Sequence, residues 1–240
     1  HPASREWCRS GTIPHMERNT DVWVVIPAYN EGPMIARVIA SVRKFFPNIV
    51  CVDDASSDDT VCAARRAGAL VIPHPVNLGQ GAALQTGFTW VLKKTEARFA
   101  VTFDADGQHR VEDAEGMCAL ARKNDLGFVL GSRFLSESPQ GLSPMRRLVL
   151  KSAAGAARRK TGLAVTDAHN GLRVIRRDAL SSFSLVHNRM AHASEIVEKL
   201  AVAGLAWAEY PVSIEYSEYS RAKGQSLLNS VNILVDLVME

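Results

Sequence analysis

The chain has no apolar run approaching the roughly 18 to 20 residues needed to cross a bilayer, and its N-terminus lacks the apolar core of a secretion signal. These absences exclude a spanning segment and a signal peptide from the sequence as given, which reads as soluble. Cysteine pairing is also missing. Cys8, Cys51, Cys62 and Cys118 form no CxxC, and the last three fall in apparently buried strand or helix segments. They are expected to be reduced packing residues of a cytosolic protein. Charge of one sign is scarce as well. A net +3 falls short of the basic stripe of a nucleic-acid binder, so no nucleic-acid partner is expected. Residues 1–20 show no periodicity and position 1 is not Met. Met16 is the expected native start, with the residues before it foreign to the native chain or disordered, so fold reasoning begins at residue 21.

At 240 residues and 47% hydrophobic content, the chain can bury one substantial core. A single domain over residues 21–240 is expected. From Val22 short apolar runs alternate with helical spacing, the pattern of an α/β fold with a mostly parallel central sheet flanked by helices. Strands are expected at Val22–Ile26, Asn48–Val52, Ala69–Ile72, Phe99–Phe103 and Gly127–Gly131, nearly continuous in hydrophobicity, as strands covered on both faces are. Met34, Ile35, Val38, Ile39, Val42 and Phe45 recur at helical spacing between the first two, and the next helix is expected to start at Ser57 or Asp58. After residue 134 a Ser/Pro/Gly-rich loop opens a second half. Its expected elements are a helix over Met145–Lys160, a strand at Leu172–Ile175, a helix at Ala191–Ala203, a strand at Leu205–Ile214 and a helix at Ser226–Val238.

The segment VTFDADGQH, Val101 to His109, carries most of the chemical information. In an extended segment residues i and i+2 point to one side, so Asp104 and Asp106 can converge just past a strand's carboxyl end, where α/β sheets bind ligands, with Gln108 continuing the alternation. Two carboxylates and an amide oxygen form a hard, all-oxygen ligand set suited to Mg²⁺ or Mn²⁺ shared with substrate phosphates. Glu31, Asp53 and Asp54 follow the two neighbouring strands. They are read as ligands of a nucleotide, with Pro27 and Tyr29 as an apolar wall, whereas Asp58 and Asp59 are read as helix N-terminal charges. Three other motifs fail on inspection. Gly79 and Gly81 lack the third glycine of a dinucleotide fingerprint, and no bidentate Glu closes an EF-hand loop. DxDG is similar to the nucleophile motif of haloacid dehalogenase-like phosphatases, but Gln108 follows Gly107 where that motif has Thr or Val, and the strand is the fourth rather than the first.

Taken in order, IPAYNEG, VDDASSDDT, NLGQGAALQTG, DADGQH and GSRF resemble the family-2 glycosyltransferases of GT-A fold. TDAHNGLRV and EYPVSIEYSEYSRAKGQS resemble the D-x-x-S-G-F-R, E-V-P-V and R-x-x-G-x-S segments of the dolichol- and polyprenol-phosphate sugar transferase branch. The resemblance implies a nucleotide-sugar half at 21–134 and an acceptor half at 135–240. It implies that Pro27, Tyr29, Glu31, Val52 and Asp54 hold the donor's nucleoside, that Asp104, Ala105, Asp106 and Gln108 surround the metal and pyrophosphate, and that Arg133 and Arg221 contact phosphates. A further acceptor arginine is implied at Arg146 or Arg147. Departures from the pattern are Asn170, Leu172 and Leu227, the last standing where relatives carry a phosphate-binding Lys; Lys223 is the candidate substitute.

The expected reaction is inverting transfer from a UDP-, GDP- or dTDP-sugar to a polyprenyl phosphate, with a cation as Lewis acid and Arg221 adding charge-assisted hydrogen bonds. A hydroxyl acceptor, the alternative, requires a base, for which Asp167, His109 and Glu195 are candidates; Glu195 otherwise reads as an exposed helix residue. A catalytically silent nucleotide-sugar binder is the third reading. Arg146, Arg147, Arg158, Arg159, Lys160, Arg176 and Arg177 either face anionic lipid or form a solvated surface. The apolar stripe from Leu227 to Val238 reads as core packing or a homodimer contact. Peripheral attachment at the cytoplasmic face of the cell membrane is expected, with a membrane segment beyond Glu240 as one way to achieve it.

Overall fold

The structure, a computed structural model, describes residues 19–135, 144–188 and 191–215. Among the described residues seven strands form one sheet: β1 (Val22–Ala28), β2 (Asn48–Asp53), β3 (Leu70–Pro73), β4 (Phe99–Thr102), β5 (Phe128–Ser132), β6 (Arg173–Arg176) and β7 (Trp207–Pro211). Their order is β3-β2-β1-β4-β6-β5-β7. β6 runs antiparallel to β4 and β5, and every other pairing is parallel. Strand order reverses around β1, so the carboxyl ends of β1, β2 and β4 lie side by side at the switch point where open α/β sheets bind ligands.

Alternation within the strands divides the core between two faces. Val24 and Ile26 pack with α1 (Gly32–Val42), α2 (Thr60–Arg66) and α4 (Val111–Lys123). Val25, Val50 and Val52 pack with α3 (Gln80–Lys94), α6 (Arg177–Ser181) and α7 (His192–Val202). α5 (Pro144–Thr161) buries Val149, Leu150, Ala153 and Ala154. The α1 stripe follows from spacing: Ile35, Val38, Ile39 and Val42 are buried at i, i+3, i+4 and i+7. Pro33 in its first turn tolerates the absent N–H there. α4 carries Glu112 and Asp113 in its first turn and Arg122 and Lys123 in its last, matching the helix dipole.

The five strands of the first half fall where the sequence puts them, and four expectations are corrected. α2 begins at Thr60, later than Ser57 or Asp58, because Asp58 is committed to a loop brace: its carboxylate accepts the Thr60 N–H at 3.0 Å and the Gly32 N–H opening α1 at 2.9 Å. Cys62 is exposed on α2, unlike Cys51 and Cys118, which are buried. β7 is shorter than the Leu205–Ile214 expectation: it ends at Pro211, and among the described residues beyond it Ile214 forms an isolated bridge with His109. α6, five residues long, was not foreseen. Cys8, Arg221 and the stripe from Leu227 to Val238 lie outside the described residues. No helix among the described residues is long and apolar enough to cross a membrane.

Candidate active site

The strand ends at the switch point enclose a cavity of about 330 Å³. Seven residues singled out from sequence line it: Pro27, Tyr29, Glu31, Asp54, Asp104, Ala105 and Asp106. Asn77, Gly79 and Gln80, which belong to the NLGQGAALQTG motif but were assigned no site role from sequence, complete one wall. Val52 does not reach the cavity. It is wholly buried in the core face beneath α3, because Asp53 and Asp54 rather than Val52 end the strand. Asp53 is buried too, accepting the Ser56 N–H at 3.1 Å through Oδ2.

At the β2 end Asp54 organises the following loop. Oδ1 accepts from the Leu78 N–H at 2.9 Å and lies 2.8 Å from His74 Nδ1; Oδ2 accepts from the Gly79 N–H at 2.7 Å. His74 Nε2 in turn lies 2.9 Å from Thr86 Oγ1 on α3. Gly79 has φ +99°, a backbone that favours glycine, and delivers the N–H that meets Asp54. Gln80, next in the chain, donates from Nε2 to Asp104 Oδ1 at 3.1 Å. A continuous set of hydrogen bonds thus joins the two ends of the cavity.

The acidic end departs from the extended geometry expected of it. β4 stops at Thr102, and residues 104–108 form a turn with Gly107 at φ +75°. Asp104 and Asp106 still share the cavity, but Gln108 does not line it; the Gln108 backbone N–H donates to Asp106 Oδ1 at 3.0 Å. The turn takes Gln108 out of the alternation. In its place His109 returns, with Nε2 2.9 Å from Asp104 Oδ2. Among the described residues no group of three or more His, Cys, Asp or Glu side chains is arranged to hold a metal on its own.

The two carboxylates sit in opposed environments. Burial pushes Asp104 up, but the hydrogen bond and charge of His109, with Arg173 and His192 behind, hold it below the ordinary carboxylate value. Burial, then the Asp104 charge, raise Asp106 to about 6; the Gln108 N–H and His109 oppose the rise, and Glu31 adds to it. Adjacent carboxylates that repel in this way are the donor chemistry a divalent cation neutralises, so the Asp104–Asp106 pair fits such an ion with its remaining ligands drawn from substrate and water.

The second half closes the site from behind. Arg173 faces Thr102 in register across the β4–β6 pair and is buried, with Nη2 3.5 Å from Ala168 O and 3.4 Å from Ala193 O. Desolvation lowers it to about 10, and the charges of Asp104 and Asp167 favour its cation. Arg173 stands at the arginine of the D-x-x-S-G-F-R segment but carries no assigned role in the sequence analysis; an arginine inside an apolar strand was the further signal. Gly171 presses its backbone on the acid end: a Cβ there would run into Asp104 Oδ2, and Thr102 Oγ1 donates to Gly171 O at 2.6 Å.

The candidate bases are engaged. Asp167 accepts from Arg133 Nε at 2.5 Å, and Glu209 braces the same loop through the Thr166 N–H at 2.6 Å and the Thr166 hydroxyl at 2.8 Å. Glu195 is buried rather than exposed, accepting the Val186 N–H at 2.8 Å and the His187 N–H at 2.8 Å; the loop before α7 folds onto it. His169 is held down to about 4 by burial first and the Arg173 charge second. Of the two arginines expected at the start of α5, Arg147 is exposed; the Arg146 side chain lies outside the described residues.

Comparison with known proteins adds a lineage to this geometry. A family model described as Glycosyl transferase family 2 matches residues 23–183. A UDP-N-acetylglucosamine--dolichyl-phosphate N-acetylglucosaminyltransferase of Methanococcus voltae is 30% identical over 242 aligned positions, covering 91% of this chain and 95% of that one. An uncharacterized protein of Methanocaldococcus jannaschii is 31% identical over 224 residues, 92% of each chain. The crystal structure of glucosyl-3-phosphoglycerate synthase from Mycobacterium tuberculosis with Mn²⁺, UDP-glucose and phosphoglyceric acid superposes with a TM-score of 0.66 at 20% identity, covering 99% of this chain and 85% of that one. That last likeness is one of fold.

Proposed function

The chain belongs to glycosyl transferase family 2, and from that premise we propose that it moves a sugar from a nucleotide sugar to a polyprenyl phosphate with inversion at the anomeric carbon. The donor, a UDP-, GDP- or dTDP-sugar, occupies the cavity at the ends of β1, β2 and β4. Its nucleoside lies toward Pro27, Tyr29, Glu31 and Asp54, and its diphosphate toward Asp104, Ala105 and Asp106. Mg²⁺ or Mn²⁺ held by Asp104 and Asp106 would neutralise charge on the departing nucleoside diphosphate. His109 and Gln80 keep Asp104 ionised and aimed, and Glu31 and Asp54 orient the donor. Arg133 and Arg221 are assigned to phosphates. Gln108 acts through its backbone N–H on Asp106.

The observation that carries the choice of acceptor is the engagement of every candidate base. A hydroxyl acceptor needs a group that removes its proton. Asp167 is paired with Arg133, Glu195 holds two backbone amides, His109 is bound to Asp104 through Nε2 and does not line the donor cavity, and His169, at about 4, is a weak base. A phosphate monoester, with a second pKa near 6, is already an anionic nucleophile at neutral pH and needs only positioning. The Methanococcus voltae relative is named for a dolichyl-phosphate acceptor. On α5, Met145 and Leu148 are 66% and 63% exposed beside exposed Arg147 and Lys151, an apolar and cationic face suited to the inner surface of the cell membrane.

Incubation with Mn²⁺, a panel of radiolabelled nucleotide sugars and a short polyprenyl phosphate tests the reading. Label entering the organic phase is expected. Transfer only to saccharides rejects the acceptor, and no binding of any nucleotide sugar rejects the donor cavity.

A further inference from the structure

Across the turn that carries Asp104 and Asp106, on the side away from the donor cavity, a second cavity of about 230 Å³ opens between α1 and the start of α4. Val38, Phe103 and Val111 form an apolar floor, and Arg37, Lys44 and Arg110 stand around it. Arg37, Ser41 and Lys44 share one stripe at helical spacing, and neither Arg37 nor Lys44 makes an ion pair among the described residues. Two carboxylates, Glu112 and Glu215, also border the groove. They approach Arg110 only at 3.9 and 4.0 Å, beyond hydrogen-bond reach, so the guanidinium N–H groups remain uncommitted among the described residues. Three cations against two carboxylates leave the groove net positive.

The wall nearest the donor cavity is His109. Its side chain is 4% exposed, Nε2 is taken by Asp104, and Nδ1 is buried with no partner among the described residues. A buried polar atom left unsatisfied is costly, and the ring that carries it lines this groove, so a ligand seated here lies against the side chain whose bonding is incomplete. The volume is below the roughly 300–1,000 Å³ of a drug-sized pocket, which suits a headgroup rather than a nucleotide. A phosphoryl group meets each requirement. Its charge answers Arg37, Lys44 and Arg110, and because a phosphate monoester is part-protonated near neutrality it can donate to or accept from Nδ1. The apolar floor accommodates the first carbons of whatever bears the phosphate.

We propose that this groove is a second binding site, for a phosphoryl group on a small or lipidic carrier, and that its occupancy is felt at Asp104 through the His109 ring. Binding stands apart from the reading of the donor cavity; only the consequence at Asp104 rests on that reading.

Acylation of lysines in the full chain, followed by mass spectrometry, reads the site directly. Inorganic phosphate forms one arm and phosphatidylcholine vesicles containing phosphatidic acid the other, against chloride at equal ionic strength. Lys44 modification is expected to slow about fivefold at about four times the Kd of the probe, while Lys93 and Lys94 at the far end of α3 stay unchanged. Protection by inorganic phosphate identifies a soluble ligand, and protection by vesicles alone a lipid headgroup. Arg37→Gln with Arg110→Gln should abolish protection without altering the melting temperature. No protection of Lys44 in either arm, or protection that survives the double variant, overturns the site. Nucleotide titration with and without phosphate then reads the coupling: an unchanged nucleotide affinity removes the link to Asp104, whereas no nucleotide binding at all faults the donor cavity instead.

Discussion

Along the ends of β1, β2 and β4, Glu31, Asp54, Asp104 and Asp106 line one cavity, whereas beside β5 and β7 Asp167, Glu195 and Glu209 each disappear into a loop or an ion pair. The residue types are the same and the outcome differs because of what surrounds them. Parallel strands ending at the switch point bring Glu31, Asp54, Asp104 and Asp106 to the wall of one cavity. The antiparallel strand β6 instead brings the loop of residues 166–171 back over the sheet, with backbone N–H groups that the acids of the second half accept. Acids of the first half therefore line the cavity even where, like Asp54 and Asp104, they also hold hydrogen bonds of their own, and those of the second half hold the backbone that closes around it.

Asp106→Ala tests the cavity side and carries the largest expected effect. Removing it takes away electrostatic stabilisation of the leaving group, a loss of about 100- to 1,000-fold in turnover with the circular dichroism spectrum unchanged. Near-normal turnover would remove the cation from the mechanism and with it the contrast between the halves. The bracing side should respond in the opposite currency. Asp167→Ala removes the carboxylate that accepts from Arg133 Nε and from the His169 N–H, and should lower stability by about 1–3 kcal/mol in urea unfolding. If Asp167 were instead a base, its loss would erase turnover while leaving the urea midpoint in place.

Much of this contrast was readable before any coordinates. β1 through β5 follow from apolar runs of fixed length, and Asp54, Asp104 and Asp106 from their position after such runs, because a strand end is a local property of the sequence. Val52 and Gln108 fall outside the cavity lining for a shared reason: the place of each depends on the residue where extended backbone stops. β2 runs on through Asp53, while β4 stops at Thr102 and Gly107 turns the chain. Arg173, His74 and Glu195 were out of reach because their roles are set by partners distant in sequence, such as Thr102, Asp54 and the 186–187 amides.

Gly171→Ala bridges the two regions and should act on both. The added methyl meets Asp104 Oδ2, so either the carboxylate or the 170–172 backbone must move. Overpacking of this kind costs about 1–3 kcal/mol. A fall in stability together with a raised KM for the nucleotide sugar is expected, and a variant that melts and binds like the parent would mean that the second half does not support Asp104.

A last effect, graded by pH, probes how tightly the sheet is packed beneath the cavity. Cys51 on β2 is raised to about 12 by burial and then by the Asp53 charge; Cys118 on α4 is raised to about 12 by burial, with Asp21 and Glu115 adding and Arg122 opposing. Unfolded, each thiol ionises near 9.0. Between those values the folded chain binds more protons than the unfolded one, so stability is intact below pH 9 and falls as pH rises toward 12, by about 1.4 kcal/mol per pH unit for each thiol. Lysines and tyrosines titrate alike in parent and variant, so the thiol share is the difference in slope between the parent and Cys51→Ala/Cys118→Ala when urea midpoints are compared at pH 8, 9 and 10. A shallower alkaline decline in the double variant is expected. Parallel declines would show that water reaches these thiols, and that the floor under Asp54 and Asp104 is looser than the buried strands imply.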